Sequence, residues 1–305
     1  MGKRRRFPLM LKDSIDFKSH LKAVSEEIEA VLTDILPLPF GNQKAVMEAS
    51  RYAALGGGKR LRPFLMIETA RMLGSLNKGV YIAGAALECM HVYSLVHDDL
   101  PCMDNDDFRR GKPTVHKKYS EALAVLTGDN LLTISFELLA DSKVHDDPNI
   151  RMTLISGLAK AGGANGMIGG QVIDISKSSQ IRDEIFISQL QKLKTGALIE
   201  YAVTAGATLS NASESEKTAL KNYARDIGLA FQIKDDILDV EGDADIIGKS
   251  VGKDDALGKV TFVSILGLEN ARTKASQLGK SAIAHLEPFG KKAEILSKTV
   301  DFILN

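Results

Sequence analysis

The chain carries eight prolines, and none of them falls between Asn149 and Glu287. A proline inside a helix costs about 3 kcal/mol, so this long interval is free to run as extended helices. Its apolar residues are spaced for that. Leu190, Leu193, Ala197, Tyr201 and Ala205 recur at three- and four-residue steps and make one helical face. Ile227, Ala230, Phe231 and Leu238 repeat the pattern. Ser213-Glu214-Ser215-Glu216 is a capping-box signal before a further helical run. Alternating runs of Val, Ile and Thr are scarce, and no hairpin pattern appears. The fold class predicted is therefore all-α, with roughly ten helices in one domain over residues 1–305. Breaks are expected near Pro37–Asn42, Gly56–Gly58, Gly74–Gly79, Pro101–Pro113, His145–Asn149, Ser176–Asp183, Leu209–Ser213 and Gly242–Gly258. None has the composition of an interdomain linker.

Composition removes several classes of function. Lys+Arg and Asp+Glu are both 39, so the net charge is zero and no nucleic-acid partner is expected. Two cysteines, Cys89 and Cys102, make neither a disulfide framework nor a four-ligand zinc site. A reducing, cytoplasmic setting fits them. The most apolar interval, Gly79 to Val96, contains Glu88 and His91, so no membrane span is expected. The basic start, Met1-Gly2-Lys3-Arg4-Arg5-Arg6, is followed by no apolar signal core and reads as a solvated, flexible tail over residues 1–8.

Two aspartate clusters stand far apart in the chain, and this suggests two related sites facing each other. The first is His97-Asp98-Asp99-Leu100-Pro101-Cys102-Met103-Asp104, and the second is Asp235-Asp236-Ile237-Leu238-Asp239. Gln232, Asp235, Asp236 and Asp239 fall at i, i+3, i+4 and i+7, one stripe of a helix. Crowded carboxylates repel unless a counter-charge joins them. Mg²⁺ is the natural one, because it takes oxygen ligands and combines one or two carboxylates with substrate phosphates. The first cluster cannot lie on one helical face. Pro101 disfavours continued helix, so Asp104 is expected from the turn beyond the helix end. His91 lies two turns before Asp98 on the same face.

Basic groups suited to metal-bound phosphate stand nearby. Gly56-Gly57-Gly58-Lys59-Arg60-Leu61-Arg62-Pro63 reads as a glycine turn feeding a helix, with Pro63 at its first position. Such helix N-termini bind anions. It is not a Walker A loop, because Ala53 replaces the leading glycine and no Ser or Thr follows Lys59. Arg109-Arg110 follows the first aspartate cluster, Lys194-Thr195 interrupts an apolar helix, and Lys249 and Lys259 follow the second cluster. Two other patterns are read as chance. Asp129, Thr133 and Glu137 imitate a terpene-cyclase metal motif, but Asn130 stands where that motif needs Asp. Gly163, Gly166 and Gly169 follow no strand, so they are packing glycines and not a nucleotide fingerprint.

With these motifs in hand, the sequence resembles the trans-isoprenyl diphosphate synthases, the bacterial farnesyl diphosphate synthase group in particular. The resemblance runs from about Arg51 to Arg272. It rests on GGGKRLRP at 56–63, HDDLPCMDNDDFRRGKPT at 97–114, VLTGDNLL at 125–132, GGQVID at 169–174, KTGALI at 194–199 and FQIKDDILD at 231–239. It departs at Asn105, where Asp is common, and at Phe262-Val263, where an aromatic-proline pair is usual.

The resemblance implies a single large helical bundle of the isoprenoid synthase type around a central catalytic cavity, normally homodimeric. It implies that an allylic diphosphate ionises, isopentenyl diphosphate attacks the carbocation and a proton leaves. Mg²⁺ would be the cofactor, with three ions held beside the allylic diphosphate and Mn²⁺ as the alternative. Asp98, Asp104 and Asp235 match the family's metal ligands, and Asp99 and Asp239 complete the motifs. Lys59, Arg62, His91 and Arg110 match the isopentenyl diphosphate site. Arg109, Lys194 and Lys249 match the site for dimethylallyl or geranyl diphosphate, with Lys259 beside them. Thr195 and Gln232 match residues beside the reacting carbons. Tyr93 and Ser94, five and four residues before Asp98, match the chain-length positions, and an aromatic group there stops growth near fifteen carbons. Farnesyl diphosphate is the expected product. The alternatives are a geranylgeranyl or geranyl diphosphate synthase, or a catalytically silent regulatory subunit of one.

Overall fold

The computed structural model describes residues 16–176, 183–241 and 260–305. Its helices are α1 (Phe17–Ile35), α2 (Lys44–Ala54), α3 (Leu61–Met72), α4 (Lys78–Asp98), α5 (Val115–Lys118), α6 (Glu121–Ala140), α7 (Pro148–Gly162), α8 (Met167–Ile175) and α9 (Glu184–Gln191). A π turn, Lys192–Gly196, leads into α10 (Ala197–Leu209) and α11 (Glu214–Glu241). The chain closes with α12 (Phe262–Leu266), α13 (Leu268–His285), a 3-10 segment (Glu287–Ala293) and α14 (Glu294–Leu304). Among the described residues the only strands are β1 (Phe108–Arg109) and β2 (Lys112–Pro113), a minimal antiparallel pair.

The proline-free interval holds the longest helix, the 28 residues of α11. Its start is the predicted capping box. The Ser213 hydroxyl accepts from the Glu216 amide at 3.3 Å, and the Glu216 carboxylate accepts from the Ser213 amide at 2.8 Å. These two bonds satisfy donors that a bare helix end leaves orphaned.

Helix α4 is buried along most of its length and forms the axis of the main core, with α1, α3 and α6 packed around it. Close approach needs missing side chains. Gly84 lies against Ile28 and Pro63, and a β-carbon at Gly128 on α6 would overlap the His97 ring. A smaller core joins Ile187 of α9, Ile233 and Ile237 of α11, Phe262 of α12, and Ala271 and Ala275 of α13.

One expectation needs correction. Pro63 is the third residue of α3, not the first, and Arg60 caps the helix in a left-handed conformation at φ 49°. Proline fits there because the first turn's amides have no intrahelical acceptor. Further, α4 and α6 are both long and apolar enough to cross a membrane, despite Glu88 and His91. In α4, 78% of the apolar window is buried inside the fold, so its apolarity is spent on the core; in α6 the share is 39%.

Candidate active site

Helix α4 ends at Asp98, and the chain then folds back on itself. The Leu100 amide donates to His97 O at 3.1 Å, and the Asp104 amide donates to Asp98 O at 2.8 Å. Asn105 takes a left-handed conformation to complete the turn. Asp104 thus comes from beyond the helix end, as Pro101 predicts. Burial pushes the Asp98 carboxyl up to about 6, with the Lys194 charge opposing and the Asp104 charge adding to the rise. The adjacent Asp99 turns inward. It is 3% exposed, and Arg109 donates to it from Nε at 2.8 and 3.0 Å and from Nη2 at 2.7 Å.

A cationic group stands beside this end of α4. Arg62 Nη1 donates to His91 Nε2 at 3.2 Å. Burial and then the charges of Arg62 and Arg110 hold His91 well below its ordinary range, so the ring is neutral and Nε2 is the acceptor. Burial also lowers Arg62 and Arg110 and Glu88 opposes in both; the Arg110 charge lowers Arg62 further, and the Arg60 and Arg109 charges lower Arg110. Arg62 Nε is buried without a hydrogen-bond partner among the described residues. Arg110 crosses the glycine turn and donates to Gly57 O. A β-carbon at Gly58, at φ +125°, would collide with its guanidinium. Two guanidinium groups, Arg62 half-buried and Arg110 exposed, share the Glu88 counter-charge and form a place that an anion would relieve.

Helix α8 meets the end of α4 through Gln171. Gln171 Nε2 donates to Asp98 Oδ1 at 2.7 Å, while its Oε1 is buried without a partner among the described residues. One turn on, Asp174 accepts from Lys194 Nζ at 2.5 Å. Lys194 and Thr195 lie in the π turn, whose extra residue breaks the 3.6-residue face read from the sequence; such insertions recur at functional sites. The turn is clamped from two sides. A β-carbon at Gly170 would overlap the Lys194 backbone, and one at Gly228 of α11 would stand 3.4 Å from Gly196 Cα.

From Gly228 the face of α11 that meets the π turn continues through Gln232, Asp235 and Asp239. Gln232 is buried, Asp235 is exposed and Asp239 is half-buried. Asp236 does not join this stripe. It is 5% exposed and accepts from the Phe262 amide of α12 at 2.7 Å.

The structure therefore brings Arg62, His91 and Arg110 together, and links Asp98, Lys194 and α8. It does not bring Lys59 to that group. Lys59 faces outward with its ammonium 5.4 Å from the Phe302 ring, and it lines a separate cavity of about 420 Å³ with Lys18, Lys22 and Glu29. Among the described residues no three carboxylates converge on one point. Tyr93 is buried and packs edge-on against His97 at 5.8 Å; burial and the Asp98 charge push its phenol up to about 12. The Ser94 hydroxyl is turned back onto its own helix, donating to His91 O at 2.8 Å. Lys249 and Lys259 lie outside the described residues. Gln171 and Asp174 were not singled out as site residues. Their signal was the polar pair at i and i+3 in the otherwise apolar Met167–Ile175.

The chain as a whole is similar to several known proteins. The family model described as polyprenyl synthetase matches residues 43–299. Farnesyl diphosphate synthase of Escherichia coli is 43% identical over 95% of this chain and 99% of its own length. An apo FPP/GFPP synthase structure from Zymomonas mobilis superposes with a TM-score of 0.86 at 44% identity, covering 95% of this chain and 99% of its own. A Helicobacter pylori geranyltransferase, complexed with magnesium and isoprenyl diphosphate, superposes at 0.82 with 32% identity, covering 97% and 98%.

Proposed function

The chain belongs to the polyprenyl synthetase family, and we propose that it joins isopentenyl diphosphate to dimethylallyl and then geranyl diphosphate to give farnesyl diphosphate. The observation that carries this reading is the pair of cationic stations flanking one carboxylate turn. Arg62 and Arg110 stand on one side, and Arg109 and Lys194 stand on the side of Asp98 and Asp174. Two diphosphates can dock there with their carbon chains directed at each other. Arg62 and Arg110, with neutral His91, hold isopentenyl diphosphate. Arg109 and Lys194 hold the allylic diphosphate and stabilise the charge that builds on it as its C–O bond breaks. Lys59, Lys249 and Lys259 join these sets by family resemblance. The isopentenyl double bond then attacks the allylic carbon, and the proton lost leaves with the released diphosphate. Thr195 and Gln232 face the reacting carbons, and the Thr195 hydroxyl steadies the positive centre.

The carboxylates suit Mg²⁺. Asp98 and Asp104 repel each other, and Gln171 Oε1 lacks a donor; a divalent ion relieves both. Asp98, Asp104, Asp235 and Asp239 would hold it with the substrate phosphates. When bound, Mg²⁺ supplies Lewis-acid neutralisation of the leaving diphosphate. Three ions, with Mn²⁺ as a substitute, belong to the same reading. Tyr93 closes the elongation pocket at fifteen carbons. A homodimer is favoured by α6, an apolar helix that leaves Val125 and Leu126 exposed. Two free thiols fit a cytoplasmic enzyme.

Product analysis by mass spectrometry tests this. Purified protein receives isopentenyl diphosphate, dimethylallyl diphosphate and Mg²⁺, with a chelated control. A metal-dependent fifteen-carbon product supports the whole reading. A ten- or twenty-carbon product keeps the chemistry and removes the role of Tyr93. No product with any allylic primer points to the silent subunit.

A further inference from the structure

The cavity of about 420 Å³ that Lys59 lines is separate from the Arg62–His91–Arg110 group, and nothing proposed so far occupies it. It lies between α1 and the glycine turn, with buried Leu21 as an apolar floor. Lys18, Lys22 and Lys59 are exposed at its rim, and Lys18 and Lys22 are neighbours at i and i+4 on α1. Of the carboxylates on its wall, Glu29 is taken by Arg60 at 2.5 Å, and Glu26 reaches Lys22 only at 3.9 Å in solvent, so the rim keeps a net positive charge. The chain leading into α1 has the same chemistry. Lys3-Arg4-Arg5-Arg6-Phe7-Pro8-Leu9-Met10-Leu11-Lys12 carries five basic groups, no acid and four large apolar residues. Residues 1–22 together hold seven Lys and Arg against two Asp in a chain of zero net charge, so the remainder is net acidic. Such an asymmetry points to an anionic partner.

We propose that residues 3–12 and the Lys18–Lys22–Lys59 rim form one docking face for an anionic lipid surface, on which the protein lies without crossing it. Residues 1–15 are outside the described residues, but the chain enters α1 at Phe17, one residue before Lys18, so the segment joins the fold at the edge of the cavity. Segment and rim bear the same sign. They repel each other, and both are drawn to a single negative surface. Charge alone would equally suit a nucleic acid. The apolar residues decide for lipid: Phe7, Leu9, Met10 and Leu11 enter the acyl boundary while the lysines and arginines meet the headgroups, and a basic patch combined with apolar insertion is what lasting attachment to a bilayer surface needs. A lipid phosphate drawn to the rim would set its first carbons against Leu21. The proposal does not depend on the function proposed above.

Vesicle sedimentation of the full chain is the test. Vesicles of phosphatidylcholine mixed with phosphatidylglycerol should carry the protein down, and vesicles of phosphatidylcholine alone should not. Salt near about 1 M should release it, because the screening length then falls to about 3 Å. Each basic group held near an anionic surface adds about fivefold to partitioning. Combining Arg4→Gln, Arg5→Gln and Arg6→Gln should therefore weaken sedimentation about a hundredfold. Combining Lys18→Gln with Lys22→Gln should weaken it about tenfold, less than two full charges because Lys22 is shared with Glu26; both lysines are exposed, so folding is not at stake. Combining Phe7→Ser with Leu9→Ser keeps every charge and should still cost about tenfold or more through lost apolar burial. Sedimentation with neither kind of vesicle, or equally with both, overturns the proposal. So does a Lys18→Gln/Lys22→Gln chain that partitions within about twofold of wild type, since the rim then plays no part. Duplex DNA bound as tightly as the anionic vesicles, with no effect of Phe7→Ser/Leu9→Ser on either, would reassign the face to a nucleic acid and also overturn it.

Discussion

Replacing Glu88 with glutamine exposes how the cationic group is supported. Arg60 has a side chain 0% exposed, and its guanidinium holds three elements together. Nη1 donates to Glu88 of α4 at 2.6 Å, and Nη2 donates to Glu29 of α1 and to Ala54 O of α2, both at 2.5 Å. Arg60 is also the left-handed residue that starts α3, two positions before Arg62. Glu88 is 2% exposed in its side chain, against 33% for Glu29, so Glu88 is the counter-charge that water cannot replace. Removing one partner of a buried ion pair costs about 3–5 kcal/mol. Glutamine keeps an acceptor for Nη1 and Glu29 remains, so the lower end, about 3 kcal/mol, applies. Unfolding entropy of about 2.1 cal/mol/K per residue makes each kcal/mol worth about 1.5 °C in a chain of this size. Calorimetry should show Glu88→Gln melting about 5 °C below wild type. Glu29→Gln, at a partly solvated pair, should lose about 1 kcal/mol or less, or 1–2 °C. Melting of Glu88→Gln within a degree of wild type, or level with Glu29→Gln, would refute the reasoning.

Three further outcomes follow from the site. Gly170→Ala drives a β-carbon into the Lys194 backbone; overpacking costs about 1–3 kcal/mol, and a shift of about an ångström at Lys194 costs about a hundredfold in kcat, so wild-type kinetics would mean the π turn has slack. Tyr93→Ala opens the pocket beside His97 and should yield products longer than fifteen carbons by mass spectrometry, whereas unchanged output would remove Tyr93 as the floor. Asp98, at about 6 in the fold against about 3.9 unfolded, binds its proton more tightly when native, so the metal-free protein loses stability as pH rises from about 4 through 6. The loss is at most about 3 kcal/mol, and chelated Asp98→Asn should therefore melt above wild type at pH 7 and level with it near pH 4; a lower melting point at pH 7 would contradict the burial that raises this carboxyl.

What the sequence could and could not convey divides along one physical line. Helices, their caps and the turn to Asp104 depend on local chemistry, and the proline gap, Ser213–Glu216 and Pro101 announced them. Direction around a helix end depends on what packs there. Asp99 and Asp98 are indistinguishable as letters, yet one meets Arg109 and the other Gln171. Lys59 and Arg62 share one motif, yet Lys59 reaches Phe302 at the far end of the chain. The π turn was invisible for a related reason. Inserting one residue leaves the surrounding spacing of Leu190 and Tyr201 compatible with a single helix, and only the backbone contacts of Gly170 and Gly228 show why the ladder breaks there. Those two glycines let α8 and α11 press on the same turn from opposite sides. Lys194 is thereby held on Asp174 of α8, with its charge acting on Asp98 as well. The break in the helix thus sets one lysine against both α8 and the first aspartate cluster, and it follows that mutations at the two glycines should impair diphosphate binding without touching any charged group.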